Sequence, residues 1–225
     1  MAPASLQDQA SAFAADLTAI AQATFGAEVS FGTIQRPTGA ITIGPVEGDK
    51  VGKFIPLVRP GDDAEQPCLW LTVNYSVSLD DEATYLMVRS STFGLWVNVM
   101  ASKPRPVFRV EYDRDAASKP QAHVHFHAES AELGWVYGSG GASLPVHHKI
   151  HFPVGGVRFR PVLEDVVLFL DDEKLFTNWA SPDWRSVVLA SRDAWEARQA
   201  RATVRRFPQA AREVLAKMDA ASPEL

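Results

Sequence analysis

Apolar residues recur at every second position in three stretches of the chain, and each stretch predicts a β-strand. In "CLWLTVNYSVSL", residues 68–79, the apolar side chains fall on every second position from Leu69 to Leu79. The stretches "VFRVEYD", residues 107–113, and "AHVHFHA", residues 122–128, repeat this period. It is typical of antiparallel strands with one face in the core and the other polar.

Two further regions predict strands from their composition. "TYLMVRSSTFGLWVNVM", residues 84–100, is rich in aromatic and β-branched residues and predicts one or two strands, interrupted between Ser90 and Thr92. Glycine and proline divide residues 26–67 into short apolar pieces, from which we expect two short strands. Neighbouring strands joined by short turns form a meander.

Helical spacing of apolar residues replaces this alternation at both ends of the chain. It predicts an amphipathic helix over residues 5–25, which ends before Gly26, and a short helix over 163–172. Ser181 and Pro182 are residue types that begin helices and predict a long helix to about residue 206. Pro208 interrupts this pattern and begins the last helix.

Together these elements predict an α+β fold. We expect one antiparallel sheet of about six to eight strands, covered on one face by the N-terminal helix and the helix at 163–172. Residues 1–172 would form this sheet domain. Residues 173–225 would form a helical C-terminal extension, packed on the same domain or used to form a homodimer.

All six histidines of the chain lie between positions 123 and 151. Turn residues between the strands at 107–113 and 122–128 predict an antiparallel hairpin, so side chains of both strands share one polar face. This face would carry His123, His125, His127, Arg109, Glu111 and Asp113. The alternating stretch "HHKIHFPVGGVRFRP", residues 147–161, would add more cationic groups to it. These are His147, Lys149, His151, Arg158 and Arg160.

Charge and cysteine content narrow the functional classes. The net charge is −5, yet residues 103–162 hold eight Lys and Arg against five Asp and Glu, which favours an anionic partner such as RNA. The single cysteine, Cys68, excludes an intramolecular disulfide and a cysteine-rich zinc site. No apolar run approaches the ~18 residues of a membrane span. Asp8 and Asp16 oppose a signal peptide, so we expect a cytoplasmic protein.

The histidines allow three interpretations, and the first is a metal site. Two imidazoles on one strand face, with a third from "HKIH" or with Glu129 or Asp113, would suit zinc, manganese or iron. Alternate strand positions lie roughly 6–7 Å apart, a spacing that favours no particular set of ligands. A divalent metal is therefore a candidate cofactor.

The second interpretation is metal-free acid–base catalysis on an RNA phosphodiester. Histidine titrates near neutral pH, so His125 and His151 could act as base and acid, with His123 and His127 beside them. The pentavalent phosphate would need cations to neutralise it. The candidates for this role are Lys149, Arg158, Arg160 and Arg109.

The third interpretation has no catalysis. The histidines would then form a solvated or binding face of a regulatory or protein-interaction module. A substitution of His125 by alanine separates the classes, because it would abolish an enzyme's activity and leave a binding module working.

The block from "FRVEYDR" through "HVHFHAE" to "IHFPVGGVRFRPVLEDVVLFLDD", roughly residues 108–171, resembles a group of actinobacterial and prophage proteins. They share an "HxHxHAE"-like strand followed by "HFPVGGxRFRPxLEDVxxFL". In outline the block also resembles TumE-type toxins of toxin–antitoxin pairs. This resemblance implies an RNA-directed, cytosolic, toxin-like activity that a partner protein, an antitoxin, holds in check.

Residues of this chain that match the toxin pattern are His123, His125, His127 and His151, with Glu164 at the helix start. The chain is longer than such toxins. It has an N-terminal helix and a meander that they lack, and it ends in a pair of helices. These additions are equally compatible with a self-contained regulator.

Overall fold

The computed structural model describes residues 4–57, 67, 69–97, 105–127, 152–154, 160–176 and 179–221. Within these residues the chain forms four helices and nine strands. The helices are α1 (Leu6–Thr24), α2 (Leu163–Asp172), α3 (Trp184–Arg206) and α4 (Pro208–Ala221). The strands are β1 (Phe31–Gln35), β2 (Ile41–Glu47), β3 (Lys50–Val51), β4 (Ile55–Leu57), β5 (Leu69–Leu79), β6 (Leu86–Val97), β7 (Arg105–Asp113), β8 (Ala122–Phe126) and β9 (Phe152–Pro153).

The strands form an antiparallel sheet in the order β1-β2-β5-β6-β7-β8-β9, with β3 paired to β2 and β4 to β5. The prediction of an α+β fold with an antiparallel sheet and helices at both ends is confirmed. Four strands rather than two precede β5, because β3 and β4 have only two and three residues. Strands this short show no readable alternation.

The central pair is β5 with β6. The odd-numbered residues of β5 from Leu69 to Val77 are buried and their even-numbered neighbours are half-buried, as the alternation predicts. The predicted interruption of β6 is wrong, since the strand runs unbroken through Ser90 and Thr92. A β-bulge takes its place, because Ser76 pairs with Ser90 and Val77 pairs with Val88. Pairing on both sides thus overrides the low strand propensity of the serines.

Helices α1 and α2 cover one face of the sheet. Helix α1 begins with a capping box between Ser5 and Asp8, and its side chains Leu17 and Ile20 are buried. Leu163, Val167 and Leu170 of α2 are fully buried in the same core. Gly26 follows α1 with a φ of +132°, a conformation that favours glycine. The opposite face of the sheet is therefore the polar one.

The C-terminal segment begins inside this core and ends outside it. The N–H of Ala180 donates to the carbonyl of Thr24 at the end of α1, and Trp184 and Val188 of α3 are buried in the same core cluster. Beyond them, Phe207 and Leu215 are more than half exposed. None of the described helices has the length and apolar character needed to cross a membrane.

Candidate metal centre

The hairpin of β7 and β8 brings the candidate chemistry together. Its register pairs Glu111 with His123 and Arg109 with His125, so the four side chains occupy the polar face of the sheet. Phe108 of β7 points into the core, where it is 8% exposed. Phe126 departs from the prediction and is 50% exposed, because it is the last residue of its strand.

Two imidazoles converge on one carboxylate oxygen. His123 Nε2 lies 3.4 Å and His125 Nε2 lies 3.6 Å from Oε2 of Glu111. One ligand atom from each of these residues lies within 4.8 Å of the other two. Ligands about 2.1 Å from a tetrahedral metal ion are themselves roughly 3.4 Å apart. The two imidazole–carboxylate distances thus match the ligand spacing of a coordination shell.

Both histidines are buried. The alternation in the sequence had instead predicted that they lie on an open polar face. His123 is 0% exposed and His125 is 4% exposed, while the Glu111 side chain is 16% exposed. Burial lowers the pKa of His123, because the imidazolium form loses its hydration. The contact with the Pro120 carbonyl and the charge of Glu111 oppose this shift without reversing it. His123 is therefore neutral at pH 7.

The main chain orients the His123 ring. Nδ1 of His123 lies 2.7 Å from the carbonyl oxygen of Pro120, which can only accept, so Nδ1 carries the proton and donates it. The lone pair of the neutral ring then resides on Nε2, the nitrogen that faces Glu111. A metal-binding histidine is commonly held in this way by a second hydrogen bond. Two acceptor atoms, Nε2 of His123 and Oε2 of Glu111, therefore face each other at 3.4 Å.

Two fixed cations contact the same carboxylate. Nη1 of Arg109 lies 3.5 Å from Oε1 of Glu111, and Nζ of Lys119 lies 3.8 Å from Oε2. Lys119 also contacts Asp113 at 3.7 Å. These contacts hold the Glu111 carboxylate in place. Asp113, the next residue of β7 on the same face, contacts Lys119 and not the histidines.

Among the described residues, the carboxylate of the cluster is Glu111 and not Asp113. Glu111 was placed on the correct face but was not singled out, because alternation alone does not say which residue lies opposite which. Glu129 lies outside the described residues. His127 follows β8, where its N–H donates to the carbonyl of Val107, and it does not belong to the three-residue cluster.

The other predicted site residues divide into two groups. His151, Lys149 and Arg158 lie outside the described residues. Arg160 is described, and its predicted place beside the histidines is corrected. Its guanidinium stacks on Trp195 of α3, with 3.8 Å between Cζ and the ring centroid, on the helix-covered face of the sheet. The strand predicted from the alternation in "VRFRP" does not include Arg160, which precedes α2 and belongs to no strand.

Comparisons with known proteins add no relative to this picture. No protein-family model, no curated protein and no solved structure matches the chain significantly. The resemblance to TumE-type toxins therefore stays a prediction, and the site has to be argued from its own geometry.

The buried, neutral His123 predicts a pH dependence of stability in metal-free protein. Its folded pKa lies below the ordinary value of about 6.5, so the unfolded chain takes up the proton first as the pH falls. The stabilising contribution is complete above about pH 6.5 and is lost at lower pH. Urea unfolding between pH 7.5 and 5.5 should show this loss in the wild type and a shallower dependence in His123→Gln.

A control variant is Phe93→Leu, which changes a fully buried core residue and removes no titratable group. It should be less stable than the wild type and keep the wild-type dependence on pH. Equal pH dependence in the wild type and His123→Gln would contradict the prediction.

Proposed function

We propose that the protein binds one divalent transition-metal ion through Glu111, His123 and His125. The observation that carries this proposal is the convergence of both Nε2 atoms on one Glu111 oxygen, at 3.4 and 3.6 Å, with Nδ1 of His123 committed to the Pro120 carbonyl. Two imidazoles and one carboxylate suit zinc, manganese and iron. Such a set leaves coordination positions for water and for a substrate oxygen.

An ion held in this way would supply hydrolytic chemistry. A divalent metal with an open position lowers the pKa of its bound water towards neutrality and polarises a phosphoryl or carbonyl oxygen. Arg109, whose side chain is 32% exposed, and Lys119, at 27%, lie beside the cluster and can meet a negatively charged substrate. We infer a phosphate ester, and RNA as the substrate class, from this cationic rim and from the excess of Lys and Arg over residues 103–162.

The metal-free mechanism has less support. A general acid or base has to reach its substrate within hydrogen-bond distance. His123 is fully buried, and one of its ring nitrogens is bonded to a main-chain carbonyl. His125 is nearly as buried, and His151, its proposed partner, lies outside the described residues. The buried pair is better suited to hold an ion than to exchange protons with RNA.

Metal binding is tested with the purified, metal-stripped protein. Titration with Zn²⁺ by calorimetry, and with Co²⁺ by visible absorption, should give one ion per chain. Loss of a residue that only supports a ligand weakens binding about 10–100-fold, so Glu111→Gln and His125→Gln should weaken it at least as much.

Two matched variants sharpen the result. Asp113→Asn removes a carboxylate from the same strand face and should leave the affinity near that of the wild type. Lys119→Gln removes a positive charge 3.8 Å from Glu111 Oε2 and should tighten binding, on the order of tenfold. Absence of binding in the wild type, or equal affinity in Glu111→Gln, would rule out the centre.

The proposed reaction needs a separate assay. A labelled single-stranded RNA should be cleaved by the metal-loaded wild type, and cleavage should fall at least a hundredfold with chelator or in Glu111→Gln. Cleavage that resists the chelator and depends on His125 would instead support the acid–base mechanism. No cleavage, with metal still bound, would favour a metal-binding regulatory module held by a partner or antitoxin.

Exposed apolar residues of α4 and the end of α3 favour a second copy of the chain as a partner. Val204, Phe207, Val214, Leu215 and Met218 are each more than half exposed. In α4, Ala211, Val214, Leu215 and Met218 follow one another at intervals of three, one and three residues, which is the period of a helix-pairing face. Val204 and Phe207 lie just before α4, at the end of α3. We infer that α4 and the end of α3 pair with the same segment of a second copy to form a homodimer.

Light scattering during size-exclusion chromatography tests this inference. The wild type should elute with the mass of a dimer, and Leu215→Glu combined with Met218→Glu should give a monomer. Lys217→Glu, which changes charge on the same helix away from the apolar positions, should stay dimeric. A monomeric wild type would contradict the inference.

A further inference from the structure

A cleft opens on the helix-covered side of the sheet, opposite the candidate metal centre. It has a volume of about 260 Å³ and lies among α1, the beginning of α2 and the middle of α3. Its apolar walls include Phe13, Leu17, Val162 and Trp195. The metal-centre residues are absent from its lining. The two sites are therefore separate.

Arg160 is the unusual member of this lining. Its guanidinium lies face-on to Trp195, with Cζ 3.8 Å from the ring centroid, and 5.9 Å from the ring of Tyr112. Burial lowers its pKa to about 10, so the group stays charged at neutral pH. Its Nε is buried without a hydrogen-bond acceptor, and among the described residues no carboxylate forms an ion pair with it.

The two acidic residues that line the cleft contact other residues. Glu164, 6% exposed, accepts a hydrogen bond of 2.6 Å from the hydroxyl of Ser191, and burial raises its pKa. Asp16 lies 3.5 Å from Arg198, with both side chains more than half exposed. Arg160 is thus a half-buried cation with a buried Nε, and among the described residues no direct contact neutralises its charge. Such a group is costly unless an anion accompanies it.

We propose that this cleft binds a small organic carboxylate with a flat apolar body. The planar guanidinium offers parallel N–H donors that match a carboxylate, while stacking on Trp195 fixes its plane. Phe13 and Leu17 provide apolar contacts for the rest of the ligand.

Charge and size restrict the ligand further. A single unneutralised cation matches one negative charge, and Glu164 would repel a dianion when ionised. The volume is just below the range of about 300–1,000 Å³ typical of ligand pockets. The cleft therefore suits a ligand with one ring rather than a nucleotide.

The test uses the full chain and three probes, with chelator present so that the metal centre plays no part. Calorimetry compares benzoate with benzamide, which has nearly the same shape and no charge, and with inorganic phosphate. Benzoate should bind one per chain, at least tenfold more tightly than either of the others. This comparison needs no variant and so does not depend on how a variant folds.

Variants then assign the site. Arg160→Met, checked for folding by circular dichroism, should lose at least tenfold in benzoate affinity. Arg160→Lys should retain part of it, and Arg198→Gln, which removes the other cation of the cleft, should retain most. Failure of benzoate to bind, equal binding of benzamide or phosphate, or wild-type affinity in Arg160→Met would each overturn the proposal. The result is independent of whether the metal centre is real.

Discussion

The register between β7 and β8 is the constraint on which the candidate metal centre depends. Pairing Glu111 with His123 and Arg109 with His125 brings one carboxylate and two imidazoles to one point. A slip by one residue would turn the polar side chains into the core and Phe108 out of it. Burial of the apolar side of the hairpin therefore fixes the register that brings Glu111, His123 and His125 together on the other side.

The polar atoms of this buried cluster have interaction partners on several sides. Glu111 contacts two imidazoles, Arg109 and Lys119, while the Pro120 carbonyl accepts the Nδ1 proton of His123. Low polarity strengthens each of these interactions and makes a missing one expensive. A metal ion between the two acceptor atoms would be coordinated by both of them.

The sheet separates this cluster from a second set of polar groups. On the helix-covered side, Glu164 accepts a hydrogen bond from Ser191, and the guanidinium of Arg160 lies over the Trp195 ring in the cleft between α1 and α3. Core-facing positions are normally apolar, so both groups stand out against Phe13 and Leu17, which line the same cleft. One fold thus keeps its unusual polar residues in two places, and the apolar core between them prevents direct contact.

The sequence by itself determined the longer helices and strands and the faces that they bury. Periods of 2.0 and 3.6 are local properties of strands and helices, so the alternation in β5, β7 and β8 and the helix of residues 163–172 could be read directly. Tertiary structure decided the rest. Alternation places Glu111 and Asp113 on one face, but only cross-strand register selects Glu111. Only the tertiary structure shows that His123 is fully buried and that Arg160 contacts Trp195, because no local period reports side-chain packing of this kind.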